Sequence, residues 1–185
     1  MFRRPLVILL ALLTTLIGGS AFAAAEKPEI IGNSPGLTAP DQHGSRAGWF
    51  VIRSLFGSGT QCLDADSTGG GNGTRVQVWD CNGSNQQLWF WADDLSVRNG
   101  LFPSMCLDAD VNGGGANGTR AQLWVCNGST QQQWGVLPND VAIYNVRFFN
   151  NANTVLDRDT NVPGNGAQVQ LWEKNFQPQQ WWSPE

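Results

Sequence analysis

Histidine is almost missing from this chain, whose 185 residues contain one, His43. A lone His, set in a stretch that reads as linker, provides neither a Ser-His-Asp type triad nor a His-based metal site. Lysine is nearly as scarce, with Lys27 and Lys174 alone, and the formal charge is -4. Loss of Arg3 and Arg4 with a cleaved leader would take it to -6, a balance that argues against nucleic acid and anionic membrane as partners. After residue 25 there is no sustained 3.6-residue apolar period and no long apolar run, which argues against helices and membrane insertion. Carboxylates such as Asp64 and Asp66 are present, but they read as a poor acid and base pair for glycoside hydrolysis. The expectation is a protein without catalytic activity and without a cofactor.

What is present begins with Arg3 and Arg4, an apolar run from Leu6 to Ile17, and small residues ending at Ala23. That layout predicts a secretory signal peptide over 1–23 and an exported protein, extracellular or periplasmic. Residues 24–47 carry prolines and glycines without periodicity and read as a leader or linker. One domain follows over 48–185, enough for a single core.

Within it a pattern recurs at a spacing of roughly 45 residues. A Leu-Asp pair, a Gly/Asn-rich loop, one Gln-x-Trp and then a second run from Leu63-Asp64 to Trp89, from Leu107-Asp108 to Trp134, and from Leu156-Asp157 to Trp181. The repeats fall at about 48–92, 93–138 and 139–185, and each divides into four short alternating runs separated by turn residues. Twelve short strands in three groups of four are predicted. Cys62 and Cys81, and Cys106 and Cys126, occupy equivalent places in the first two repeats. Equivalent units should close equivalent loops, so Cys62–Cys81 and Cys106–Cys126 disulfides are expected in an oxidising compartment. The third repeat has Val155 and Lys174 there and must hold its hairpin by packing alone.

Cys-Leu-Asp at 62–64 and 106–108, Gln-x-Trp before the second cysteine at 77–79 and 122–124, and the closing Gln-x-Trp at 87–89, 132–134 and 179–181 resemble the ricin B-chain-like lectins. The resemblance covers residue 48 to the C-terminus. It implies an all-β fold, a β-trefoil of three four-stranded repeats about a pseudo-threefold axis, and carbohydrate as the partner.

The two Gln-x-Trp tryptophans of each repeat differ in setting. Trp89, Trp134 and Trp181 close the repeats among apolar neighbours and read as core. Trp79, Trp124 and Trp172 stand in alternating strands beside polar loops, where a flat indole can take the C–H face of a pyranose. Asp64, Asp108 and Asp157 are placed to accept sugar hydroxyls, the role the resembled family gives the aspartate after Cys-Leu. The resemblance then implies a first site of Asp64, Gln77, Trp79 and Gln86 with Gln87 supporting the aspartate. A second comprises Asp108, Gln122, Trp124 and Gln131 with Gln132 in support. A third comprises Asp157, Gln170, Trp172 and Gln179. The family usually has Asn three residues before the closing Trp; here Gln86 and Gln131 stand there, and Pro178 in the third repeat, which marks that site as weak or dead.

Other readings of the same residues are open. Asp64-x-Asp66-x-Thr68-Gly69 and Asp108-x-Asp110-x-Asn112-Gly113 begin like calcium loops, though Arg75 and Thr119 replace the closing Glu; turn capping by Asp66 and Asp110 is the plainer role. Asn72, Asn82, Asn117 and Asn127 open Asn-Gly-Ser/Thr triplets, which are glycosylation acceptors or turns. Three functions remain: a secreted lectin for galactose-type or related sugars, a cell-surface-binding subunit that delivers a partner toxin or enzyme chain, and a trefoil protein inhibitor.

Overall fold

The computed structural model describes residues 48–137, 141–149 and 153–185. The expected signal peptide, the leader and His43 lie outside them, save that the leader is followed directly by Gly48. The twelve strands are β1 (Ile52–Ser54), β2 (Gln61–Ala65), β3 (Thr74–Asp80), β4 (Trp89–Trp91), β5 (Val97–Asn99), β6 (Met105–Ala109), β7 (Thr119–Val125), β8 (Trp134–Leu137), β9 (Ala142–Asn145), β10 (Thr154–Arg158), β11 (Ala167–Glu173) and β12 (Trp182–Pro184). Each lies on one of the twelve runs read from the sequence.

Two rings are built from these strands. In the first, β12 pairs with β1, β4 with β5 and β8 with β9, all antiparallel. The backbone N–H groups of Trp89, Trp134 and Trp182 donate to the carbonyls of Phe50, Leu95 and Val141, which joins these pairs into a closed barrel without free edges. In the second ring, the hairpins β2–β3, β6–β7 and β10–β11 meet because β3, β7 and β11 each pair with the other two. A barrel capped by three hairpins about one axis is a β-trefoil.

The core is filled by one residue set used three times. Leu63, Leu107 and Leu156 and the indoles of Trp89, Trp134 and Trp182 are fully or almost fully buried. Each of these indoles buries on the order of 150–250 Å². Burial of so large a ring requires a partner for its N–H, and Nε1 donates to the carbonyl of Leu63, Leu107 or Leu156 at 2.9–3.0 Å.

This arrangement corrects the closing motif of the third repeat. Trp182, not Trp181, is the core residue; Trp181 is 36% exposed. The motif there is Gln180-Trp181-Trp182, one residue later than the sequence reading placed it. The signal that distinguishes them is spacing, since Trp182 follows Trp172 by the same interval that separates Trp89 from Trp79 and Trp134 from Trp124.

Both expected disulfides are present, Cys62–Cys81 and Cys106–Cys126, each with a Cα separation of 5.1 Å. The third hairpin has a small apolar cluster instead, in which buried Val155 packs with Ala142 and Tyr144 and with half-buried Leu137, Val146 and Phe149. The repeats are also stitched to one another. Asn72 Oδ1 accepts from the Val125 N–H, Asn117 Oδ1 from Glu173 and Asn165 Oδ1 from Asp80, at 2.6–2.8 Å. Asn82 and Asn127 instead close their own turns by accepting from the N–H groups of Ser84 and Ser129.

Candidate functional site

A β-hairpin and a single 3-10 turn set the site in each repeat. In the first, β2 carries Asp64 directly opposite Gln77 on β3. After β3 the chain reverses through Asn82-Gly83-Ser84 into a 3-10 turn at Asn85–Gln87, which returns Gln87 beneath Asp64. Gly83 takes φ of +72°, a left-handed turn conformation that suits a residue without Cβ. The Gln77 amide donates to Asp64 Oδ1 at 3.1 Å and the Gln87 amide to Oδ2 at 3.0 Å. Gln87 is itself fixed, because its amide also donates to the Asp80 carbonyl and its oxygen accepts from the Asn82 N–H. A carboxylate that is 3% exposed is thus held in one orientation, with lone pairs left for a further donor.

Around it lies a shallow pocket of about 260 Å³ lined by Asp64, Asp66, Ser67, Thr68, Gln77, Trp79 and Gln86. Trp79 stands at its side with 41% of its surface exposed, an unusual state for an indole in the middle of a structured domain. Its strand neighbours are well ordered by pairing, since Trp79 lies opposite Cys62 and the Cys62–Cys81 bridge closes the hairpin two residues later. Asp66 caps the following turn, accepting at Oδ1 from the N–H and hydroxyl of Thr68, and these bonds hold its carboxyl below the usual range.

The second repeat repeats the arrangement. Gln122 and Gln132 donate to the two oxygens of Asp108, both at 3.1 Å; Gln132 also donates to the Val125 carbonyl and accepts from the Asn127 N–H. Trp124 is 38% exposed. Asp110 accepts from the backbone and side chain of Asn112 and from Arg120, so Asp66 and Asp110 both serve as turn caps. Among the described residues no three His, Cys, Asp or Glu side chains gather to hold a metal ion.

In the third repeat the one-residue correction changes the site. Gln180, absent from the sequence reading, donates to Asp157 Oδ2 at 3.1 Å and to the Glu173 carbonyl, and accepts from Asn175. Gln170 reaches Asp157 Oδ1 at 3.3 Å. Gln179 is therefore not the support of Asp157 but the counterpart of Gln86 and Gln131, and Pro178 opens the 3-10 turn at the place of Asn85 and Thr130, where a missing N–H costs nothing. The amide that Pro178 was expected to remove is present. With Trp172 37% exposed, the third repeat carries the same frame as the others.

Burial pushes the carboxyls of Asp64 and Asp108 above the usual aspartate range, against the opposing effect of their paired glutamine amides. For Asp108, Arg147 also attracts the ionised form. Asp157 is raised furthest, to about 6, by burial first and by the neighbouring Asp159, again with its two amides and Arg158 opposing.

Comparison with known proteins gives a consistent assignment over the same residues. Among the solved structures is a designed threefold-symmetric protein, ThreeFoil, similar over 74% of this chain and 97% of its own, at 20% identity and a TM-score of 0.65. The agglutinin of Abrus precatorius matches at 18% identity and a TM-score of 0.61, over 74% of this chain but 47% of its own. The β-trefoil lectin of a Vibrio vulnificus hemolysin/cytolysin, solved with N-acetyl-D-lactosamine bound, matches at 23% identity and 0.57, over 76% of this chain and 95% of its own. At these identities the likeness shows the fold alone. No curated protein matches the chain. The family model of the ricin-type β-trefoil lectin domain matches residues 48–182, which is most of the chain and all three repeats. The chain belongs to the ricin-type β-trefoil lectin family, a family of carbohydrate-binding, non-catalytic domains.

Proposed function

We propose that the protein is an exported lectin that binds galactose-type or related sugars through three shallow sites. The observation that carries the proposal is a buried aspartate, clamped at both oxygens by glutamine amides, beside a half-exposed indole and a glutamine on a 3-10 turn, built three times from different stretches of sequence. An indole face receives the C–H face of a pyranose, and the fixed carboxylate accepts two of its hydroxyls. Such small contacts give weak single sites, about millimolar to tens of micromolar, so useful affinity comes from engaging several at once. The signal-peptide layout supports export into a compartment where the two disulfides form.

Binding of the chain to a glycan array and to immobilised galactosides tests the proposal. Wild type is expected to bind. Replacing Trp79, Trp124 and Trp172 together by Ala is expected to abolish binding with the folded state retained, since all three rings are solvent-facing. Failure of the wild type to bind any glycan would overturn it. A mosquitocidal holotoxin matches this chain over 17% of its own length at a TM-score of 0.63. The same three sites would serve a subunit that delivers a toxin or enzyme chain, and co-purification of a second exported chain would favour that role.

A further inference from the structure

The three sites share a frame yet differ at one rim position, which the backbone identifies without ambiguity. Two residues after the last residue of β1, β5 and β9, a backbone N–H donates to the side chain that ends the strand: Phe56 to Ser54, Leu101 to Asn99 and Arg147 to Asn145. Asn99 and Asn145 in turn donate to the carbonyls of Gln86 and Gln131, the glutamines of the first and second sites. The rim therefore carries Leu101 at the first site, Arg147 at the second and Phe56 at the third.

Arg147 Nη1 lies 3.4 Å from Gln131 Oε1, and its guanidinium stands 5.5 Å from the centre of the Phe148 ring. It has no carboxylate within ion-pair distance among the described residues, which leaves its remaining N–H donors for an outside partner. A second guanidinium flanks the same site, since Arg120 is held 3.4 Å from Asp110 with most of its side chain in solvent. In the first repeat the equivalent arginine, Arg75, donates to the Gly166 carbonyl and to Gln168, and it attracts the ionised Asp66 without an ion pair among the described residues. Asp108 and Asp110 thus have two guanidiniums near them, Arg147 and Arg120, whereas Asp66 has Arg75 alone and Leu101 stands at the position of Arg147.

We propose that the second site selects a sugar bearing an anionic substituent, a carboxylate or a sulfate ester, which Arg147 binds while the ring occupies the Asp108 and Trp124 pocket. The first and third sites take the neutral sugar. A planar guanidinium with open donors matches either anion with paired hydrogen bonds. This assignment rests on the carbohydrate reading above.

The test follows the indole N–H signals of Trp79, Trp124 and Trp172 by NMR during titration with methyl galactoside, methyl galacturonoside and methyl 3-O-sulfogalactoside at low salt. The expected result is a shift of Trp124 at about fivefold lower concentration of one or both anionic sugars than of the neutral one, with no such gain at Trp79 or Trp172. The gain shrinks with added salt, and Arg147→Leu removes the ratio. Which anionic sugar shows the gain identifies the substituent. If methyl galactoside shifts the indoles and neither anion gains at Trp124, or Arg147→Leu keeps the gain, the assignment is overturned while the lectin reading stands. If no sugar shifts any of the three indoles, both fall.

Discussion

At the scale of single residues, the structure holds two kinds of tryptophan and two kinds of glutamine that look alike in the sequence. Trp182→Ala should destabilise the fold by about 3–5 kcal/mol, whereas Trp181→Ala should cost under about 1 kcal/mol, measured by urea denaturation. The reverse order would show that the closing motif is misplaced. Gln87→Leu leaves the Asn82 N–H and the Asp80 carbonyl without their side-chain partner and removes one amide from Asp64, so a loss of about 1–3 kcal/mol is expected by the same measurement. Gln86, Gln131 and Gln179 make no bond to the aspartates, so their replacement by Ala should weaken sugar binding with little change in stability. The aspartates, the exposed indoles and the first two glutamine pairs were legible because the Leu-Asp and Gln-x-Trp words repeat in register. Gln180 and Trp182 were not, because Gln179-Gln180-Trp181-Trp182 contains the word twice in overlapping frames, and only the distance back to Trp172 separates them. Arg147 was illegible for another reason: it belongs to no repeated word, and it reaches the site through the end of a different strand.

At the scale of elements, the third hairpin differs from its counterparts in what closes it. Val155 and Lys174 occupy the positions of the two cysteines, and Val155 is held by Tyr144 and its apolar neighbours. Val155→Cys with Lys174→Cys is predicted to form a third bridge and to stabilise the protein by about 3 kcal/mol, read as a rise in the denaturation midpoint that disappears with reductant. No change in midpoint on oxidation would contradict the equivalence of the three hairpins. The loop after β10 is also held differently: Arg158, 2% exposed, stands where the other repeats have Ala65 and Ala109. Its guanidinium donates to the carbonyls of Asp159, Val162 and Gly164 and lies 4.8 Å over the Phe56 ring. Strand existence was readable from alternation and turn residues; the barrel and cap rings were not, because pairing between repeats is set by backbone geometry that no short word records.

At the scale of the whole molecule, pseudo-threefold symmetry is closed by contacts between repeats. The Asn72, Asn117 and Asn165 carbonyl groups each bind a backbone N–H of the next repeat, and the Gln168 amide lies within 2.7–3.1 Å of the carbonyls of Val76, Ala121 and Val169, one from each repeat. One asymmetry carries a pH dependence. Asp157, with its pKa near 6 in the folded protein, takes up a proton on folding between its ordinary aspartate pKa and about 6. Its contribution to stability therefore falls as pH rises from about 4 to about 6, and Asp157→Asn should flatten that part of the stability profile. Sugar binding runs the other way, because the ionised carboxylate is the acceptor: on acidification the third site should lose ligand near pH 6, before the first and second. The central claim is that three equivalent frames each present one indole to sugar and bury the other. It is tested most directly at pH 7.5 by NMR of the indole N–H signals of these six among the nine tryptophans during titration with methyl galactoside. Saturable shifts of Trp79, Trp124 and Trp172 are expected with Trp89, Trp134 and Trp182 unmoved; no shift of any of the first three, or shifts of the buried set alone, would overturn the claim.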